Sequence, residues 1–179
     1  MDWNVVVTVT AGPGHEHRVL DALGAFGRFR ATSFRDVGIG HVADVAGLLE
    51  AIRRAREEGR PWAGFVARVI PAEQVFSFTP ETLAEQLKEA AAPFVARLAD
   101  GSFCVRLERR GLQGKVASAD IERAVGEHVH GLAEQAGLRM RTEFADPDFV
   151  IAAETLGTEC GVALITRALR ERYPFVQVR

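Results

Sequence analysis

Asp100-Gly-Ser-Phe-Cys-Val-Arg-Leu-Glu-Arg-Arg-Gly-Leu-Gln-Gly-Lys115, read together with Phe144-Ala-Asp-Pro-Asp-Phe-Val-Ile-Ala-Ala-Glu154 further on, decides the fold of this chain. Phe103, Val105 and Leu107 alternate with Cys104, Arg106 and Glu108, the period of a half-buried strand. Two arginines and the glycine loop Gly111-Leu-Gln-Gly114 end that strand. Ser118 then offers an N-cap for a helix whose Ile121, Val125, Val129 and Leu132 recur at intervals of four, four and three, and Gly137 stops it. The turn Asp146-Pro-Asp148 launches a second strand, Phe149–Glu154, and Gly161–Thr166 reads as a third. Cations placed where a strand enters a loop and a helix begins suit phosphate binding better than bond-breaking chemistry.

Upstream, the pattern changes. Trp3–Thr10 is rich in β-branched residues and reads as a buried strand, broken by Ala11-Gly-Pro-Gly14. A helix carrying Val19, Leu20, Leu23 and Phe26 is expected to end near Gly27. Short strands follow at 31–35 and 38–43. Asp44 is a plausible N-cap for a helix with Val45, Leu48, Leu49, Ile52 and Ala55 on one face, and Gly64–Ile70 is a further strand. The order βαββαβ predicts a ferredoxin-like domain over residues 1–72. Residues 71–80 read as a connector. Thr79 and Pro80 start a helix striped by Leu83, Leu87, Ala90 and Ala91, which Pro93 kinks or splits. The second domain is expected to occupy 73–179, its end a basic tail from Arg167.

The totals narrow the class. At 179 residues, about half apolar and a quarter charged, the chain has the composition of an ordinary globular protein. It shows no signal peptide and no apolar run approaching the length of a membrane span. Cys104 and Cys160 lie in apolar runs and read as buried free thiols, which fits a cytoplasmic protein. A net charge of −2 confines any nucleic-acid function to local patches.

Most chemical motifs have plainer readings. Gly12-Pro-Gly14 has His17 where a dinucleotide fingerprint needs its third glycine, so it reads as a loop. His15 and His17 face different ways on a helix, and His128 and His130 lack a His-Glu-x-x-His partner pattern, so no metal site is expected. Gly111-Leu-Gln-Gly114 has the letters of a GxxG nucleic-acid clamp but follows a strand instead of joining two helices, which makes it a turn beside Lys115. Asp146 and Asp148 flank a proline and read as turn formers that bond their own backbone. No serine sits in a nucleophile elbow and no Walker sequence is present. The sequence points to no catalytic residue, no cofactor and no metal.

Phe103-Cys-Val-Arg106, Arg109-Arg-Gly111, Ile121-Glu122 with Gly126, and Asp146-Pro-Asp148 followed by Val150-Ile151 and Glu154 resemble the THUMP domain, an RNA-binding module of tRNA-modifying proteins. The resemblance covers roughly residues 75 to 170. The preceding βαββαβ unit is similar to the ferredoxin-like domain that often precedes it. Trp3-Asn-Val-Val-Val-Thr8, Trp62 and Arg68-Val-Ile-Pro71 resemble the start of the small stand-alone THUMP proteins, tRNA-binding adaptors of cytidine N4-acetylation. The resemblance implies an α/β (α+β) fold, with the acceptor end of tRNA as ligand and a separate enzyme as partner. It departs in charge, because residues 71–179 carry 13 Lys and Arg against 16 Asp and Glu.

Two segments escape that acidic average. Residues 101–115 hold Arg106, Arg109, Arg110 and Lys115 against Glu108, and residues 160–179 hold Arg167, Arg170, Arg172 and Arg179 against Glu171, each a net +3. Brought together by a sheet, they would form one phosphate-binding cradle, with Arg106, Arg109, Arg110, Lys115, Arg167, Arg170 and Arg172 as its contacts. The plainer reading of each is an ordinary solvated charge. The expected function is therefore a non-enzymatic tRNA-binding adaptor. Two alternatives are a protein-interaction or assembly module with little RNA affinity, and a small-molecule enzyme on a ferredoxin-like fold.

Overall fold

The computed structural model describes residues 2–178. The chain divides into two compact units between Ala72 and Glu73. The first unit takes back Leu169–Gln177, so the C-terminal stretch does not stay with the second as the sequence reading had it.

The first unit begins with β1 (Val5–Val9), α1 (His15–Leu23), β2 (Gly27–Ala31) and β3 (Val37–Val42). It continues with α2 (Val45–Glu57), the short α3 (Pro61–Gly64) and β4 (Val66–Pro71). Its sheet has the order β2-β3-β1-β4 with every neighbouring pair antiparallel, the ferredoxin-like arrangement. Asp44 caps α2 by accepting the Gly47 N–H at 2.9 Å, and Leu48, Leu49, Ile52 and Ala55 are buried on the face that the spacing predicted.

One boundary moved. α1 stops at Leu23, and Gly27 opens β2 instead of closing the helix. The expected strand at 31–35 is a turn. The Thr32 hydroxyl accepts the Phe34 N–H and donates to the Val37 carbonyl, while Asp36 takes a positive φ of 58°. That side-chain bonding competes with a strand ladder for the same backbone groups. At the far end, the Val69 N–H donates to the Phe175 carbonyl, and buried Arg68 donates through Nε to the Gln177 carbonyl at 2.8 Å. Phe175 is fully buried, which is why the tail belongs to this unit.

The second unit contains β5 (Gln74–Ser77), α4 (Leu83–Ala91), a 3-10 turn at Ala92–Arg97 and β6 (Gly101–Glu108). Beyond these come α5 (Ser118–Gln135), β7 (Met140–Thr142), β8 (Phe149–Leu156) and β9 (Glu159–Thr166). The helix α6 (Arg167–Arg172) begins here and runs into the stretch grouped with the first unit. The sheet order is β5-β9-β8-β6-β7, with β6 parallel to both neighbours and β8-β9 an antiparallel hairpin. Pro93 ends α4 and the chain tightens into the 3-10 turn, since proline has no N–H for the ladder. Leu83, Leu87, Phe94, Phe103, Val105, Val125, Val129, Ile151 and Leu164 form one core. Behind Gln135 the Leu138 N–H reaches back to the Ala133 carbonyl and Gly137 takes φ 80°, a Schellman stop.

The strands β5 and β7 were not visible in sequence, because four and three residues are too few to display a period. Both cysteines are free and buried, and burial pushes the Cys160 thiol up to about 12. Among the described residues no helix is long and apolar enough to cross a membrane.

Candidate nucleic-acid interface

The site is built at the C-terminal end of β6. Three of the residues expected to hold phosphate, Arg106, Arg109 and Lys115, lie on the second half of that strand or in the loop after it, and they do different work. Arg106 lays its guanidinium over the Phe144 ring, 5.1 Å from the centroid, and donates to the Phe144 carbonyl at 3.2 Å. Arg109 donates to the Gly111 carbonyl at 2.7 Å and is half-buried. Lys115 is exposed at the end of the glycine loop, which Gly111, Leu112 and Gly114 turn with positive φ. Leu112 accepts that conformation while packing its side chain against the core.

Arg110 points inward instead. Its guanidinium pairs with Glu154 on β8, with side-chain exposures of 10% and 4%. The Arg110 N–H donates to the Thr155 hydroxyl at 2.9 Å, and its carbonyl accepts the Gly157 N–H. A buried carboxylate must have a cation beside it, so this arginine closes the strand end and is not available to a ligand.

Of the C-terminal arginines, Arg167 and Arg172 likewise serve the fold, and Arg179 lies outside the described residues. Arg167 donates to the Asp146 carboxylate at 2.6 Å and to Asp148 at 3.2 Å, with the Asp146 carbonyl as a further acceptor. Asp148 in turn accepts the Ser102 N–H at 2.9 Å and the Ser102 hydroxyl at 3.1 Å. These Ser102 bonds, with Arg167 after them, hold its carboxyl below the usual carboxylate range. Gly101 is required beside it: a Cβ there would lie 2.4 Å from the Asp148 carboxylate. Asp146-Pro-Asp148 is thus architectural, tying β6 to the end of β9 through Ser102 and Arg167.

Arg172 belongs to the first unit, where it donates to Glu50 at 3.1 Å, and Arg170 lies half-buried in the same stretch. The cradle expected from two adjoining basic segments therefore does not form as drawn. Arg110, Arg167 and Arg172 are each paired with carboxylates, which leaves the loop Arg109–Lys115 and Arg106 as its remaining part.

Sequence reasoning passed over three exposed cations on neighbouring elements: Arg123 on α5, which pairs with Asp120 at 3.3 Å, and Arg139 and Arg141 beside the start of β6. The alternation Arg139-Met-Arg141, with Met140 packed on the core, was the available signal. A pocket of about 550 Å³ opens between β6 and α5, lined among others by Phe103, Val105, Gly126, His130 and Phe144. Of the histidines considered for metal, His15 stacks on Phe65 at 3.8 Å and His130 bonds the Met140 carbonyl. Among the described residues no group of three or more His, Cys, Asp or Glu side chains is placed to hold a metal ion.

A ferredoxin-like unit followed by a mixed sheet in the order β5-β9-β8-β6-β7 is the α+β architecture of an N-terminal module seen in several solved proteins. Residues 79–164, just under half of the chain, match the THUMP domain, so the second unit contains a THUMP domain. The fold is similar to that of PH1313 from Pyrococcus horikoshii, with a TM-score of 0.60 and 14% identity over 93% of this chain and 55% of that one. TrmN from Thermus thermophilus is similar with a TM-score of 0.63 and 19% identity, covering 89% of this chain and 45% of that one. A 4-thiouridine synthetase, solved with RNA and bound ATP, gives a TM-score of 0.58 at 10% identity, covering 92% and 41%. The chain thus spans about half the length of the solved structures it matches. Comparison with curated proteins finds no match.

Proposed function

We propose that this chain binds tRNA at its acceptor end and presents it to a separate modifying enzyme, with a tRNA cytidine acetyltransferase as the particular candidate. The THUMP domain over residues 79–164 carries the reading. Support comes from the 4-thiouridine synthetase of the same fold, which was solved with RNA. The chain itself offers half-buried Arg109 and exposed Lys115 on the loop after β6, with Arg106 on that strand, and arginine forks and ammonium groups suit phosphate oxygens. The adaptor role and the acetylating partner follow from the likeness to stand-alone THUMP proteins.

A titration of the chain with tRNA across a salt series tests this. Each phosphate neutralised releases counterions, so log K falls with log salt by roughly 0.7 to 0.9 per contact. A few contacts are expected from the loop, giving a shallow but definite slope. Absence of binding at low salt, or an affinity indifferent to salt, sinks the reading. The protein-assembly alternative draws on one observation, the carboxylate partners of Arg110, Arg167 and Arg172, and predicts a stable protein complex that forms without RNA.

A further inference from the structure

One edge of the first unit's sheet is covered by the chain itself. Along β4 the Val69 N–H donates to the Phe175 carbonyl, and Arg68 reaches the Gln177 carbonyl. The other edge, β2, has no strand beyond it among the described residues. Where β2 pairs with β3, the Thr32 N–H continues the register by donating to the Val37 carbonyl at 3.0 Å. The alternate residues Arg30 and Arg28 therefore also turn their backbone groups to β3. Gly27, Phe29 and Ala31 turn theirs outward. Such an outward row of donors and acceptors is a template for an added strand.

The side chains make the two faces of that edge unlike. Phe29 lies across Gly40, where a Cβ would come within 2.3 Å of the ring. With Leu20 and Ala31 it lines a recess of about 340 Å³ against α1. Glu16 and Asp21 line the same recess, so this face suits an apolar side chain and repels a carboxylate. Arg28 and Arg30 stand on the opposite face, both exposed. Among the described residues no carboxylate pairs with Arg28. Arg30 meets Asp2 at 3.5 Å with both side chains more than half exposed, a contact that water largely screens. Charge also works against a second copy of this chain as the occupant. When two β2 strands pair antiparallel about Phe29, each Arg28 lies directly across from an Arg30, and like charges so placed destabilise the pair.

We propose that β2 is a docking edge for an extended acidic segment of a partner protein, which adds to the sheet as a further strand. Every pair in this sheet is antiparallel, and the added strand continues that pattern. Its carboxylates lie opposite Arg28 and Arg30, and a β-branched residue lies opposite Phe29, so the segment alternates acidic and apolar residues. The proposal concerns the first unit alone and does not depend on the RNA-binding reading.

The experiment titrates two fluorescein-labelled ten-residue peptides against the full chain by anisotropy, one alternating Glu and Val and the other Lys and Val. Two cross-strand charge pairs turn from attractive to repulsive between them, so the Glu peptide is expected to bind roughly tenfold tighter. In an antiparallel ladder the residue across from Phe29 supplies the hydrogen bonds. N-methylation of the valines is therefore expected to cost roughly tenfold, and N-methylation of the glutamates little. The double variant Arg28→Glu with Arg30→Glu, both at exposed positions, is expected to reverse the preference between the two peptides. If the native chain binds neither peptide, if valine methylation costs nothing, or if the variant keeps the native preference, the docking edge is wrong. Loss of tRNA affinity in that variant, with no peptide bound by the native chain, overturns the proposal in favour of a nucleic-acid surface. A native dimer in sedimentation that Ala31→Pro abolishes, again with no peptide bound, overturns it in favour of a second copy.

Discussion

The loop after β6 and the helix α6 come from segments of equal charge, each +3 in sequence, yet the fold treats them differently. On the loop, Lys115 is exposed and Arg109 donates to the neighbouring Gly111 carbonyl. On α6, Arg167 is held by Asp146 and Asp148, and Arg172 by Glu50, which also accepts from Arg53 and Tyr173. The difference is one of neighbours. Where a carboxylate pairs with it, an arginine becomes part of the scaffold; on the glycine turn Lys115 stays exposed, near enough to Glu81 to help lower that carboxyl, and its ammonium faces outward to an outside anion. Net charge per segment therefore says little about which cations can bind a ligand.

Breaking the buried member of the scaffold set has the largest effect. Arg110→Ala removes the guanidinium from a carboxylate that is 4% exposed, and urea unfolding of that variant is expected to show a loss of about 3–5 kcal/mol. Arg109→Ala, one residue away at a guanidinium that donates to the Gly111 carbonyl, is expected to change stability far less. Similar losses for the two would abolish the distinction between scaffold and open cations.

Next comes the tie between β6 and β9. Ser102→Ala deletes the hydroxyl that donates to the Asp148 carboxylate and accepts the Asp148 N–H, at a buried position. The same measurement is expected to give a loss of about 1–3 kcal/mol.

On the ligand side, Lys115→Ala is expected to reduce the salt slope of tRNA binding by about one contact's worth and to leave the urea midpoint in place. Arg172→Ala is expected to do the reverse, moving the midpoint and sparing the slope. An exchanged result would place the RNA surface on the C-terminal stretch.

The smallest effect is one of pH. Bonds from Arg53 and Tyr173, with Arg172 close by, lower the Glu50 carboxyl to about 2. Its contribution is then complete above the ordinary glutamate value of about 4.3 and fades as pH falls through 2. Native protein should lose stability over that window by a component that Glu50→Gln lacks, read from urea midpoints taken at successive pH values.

Several elements were legible from spacing alone. The alternation at Phe103, Val105 and Leu107 gave β6, the four-residue recurrence at Val125 and Val129 gave α5, and Asp44 before Val45 gave the start of α2. The misplacement of β2 had a local cause, a Thr32 hydroxyl bonding its own turn, that strand propensity overrode in the reading. Of the candidate interface, the residue types were legible but their availability was not.

By itself the sequence determined the two-part α+β plan, the βαββαβ order and the strand–loop–helix unit at 101–135, because periodicity and turn chemistry act within a few residues. Only the tertiary structure decided which arginines remain open to an outside anion and where the pocket opens. Arg110 meets Glu154 across 44 positions and Arg172 meets Glu50 across 122, and no short window of sequence contains both partners of such a pair.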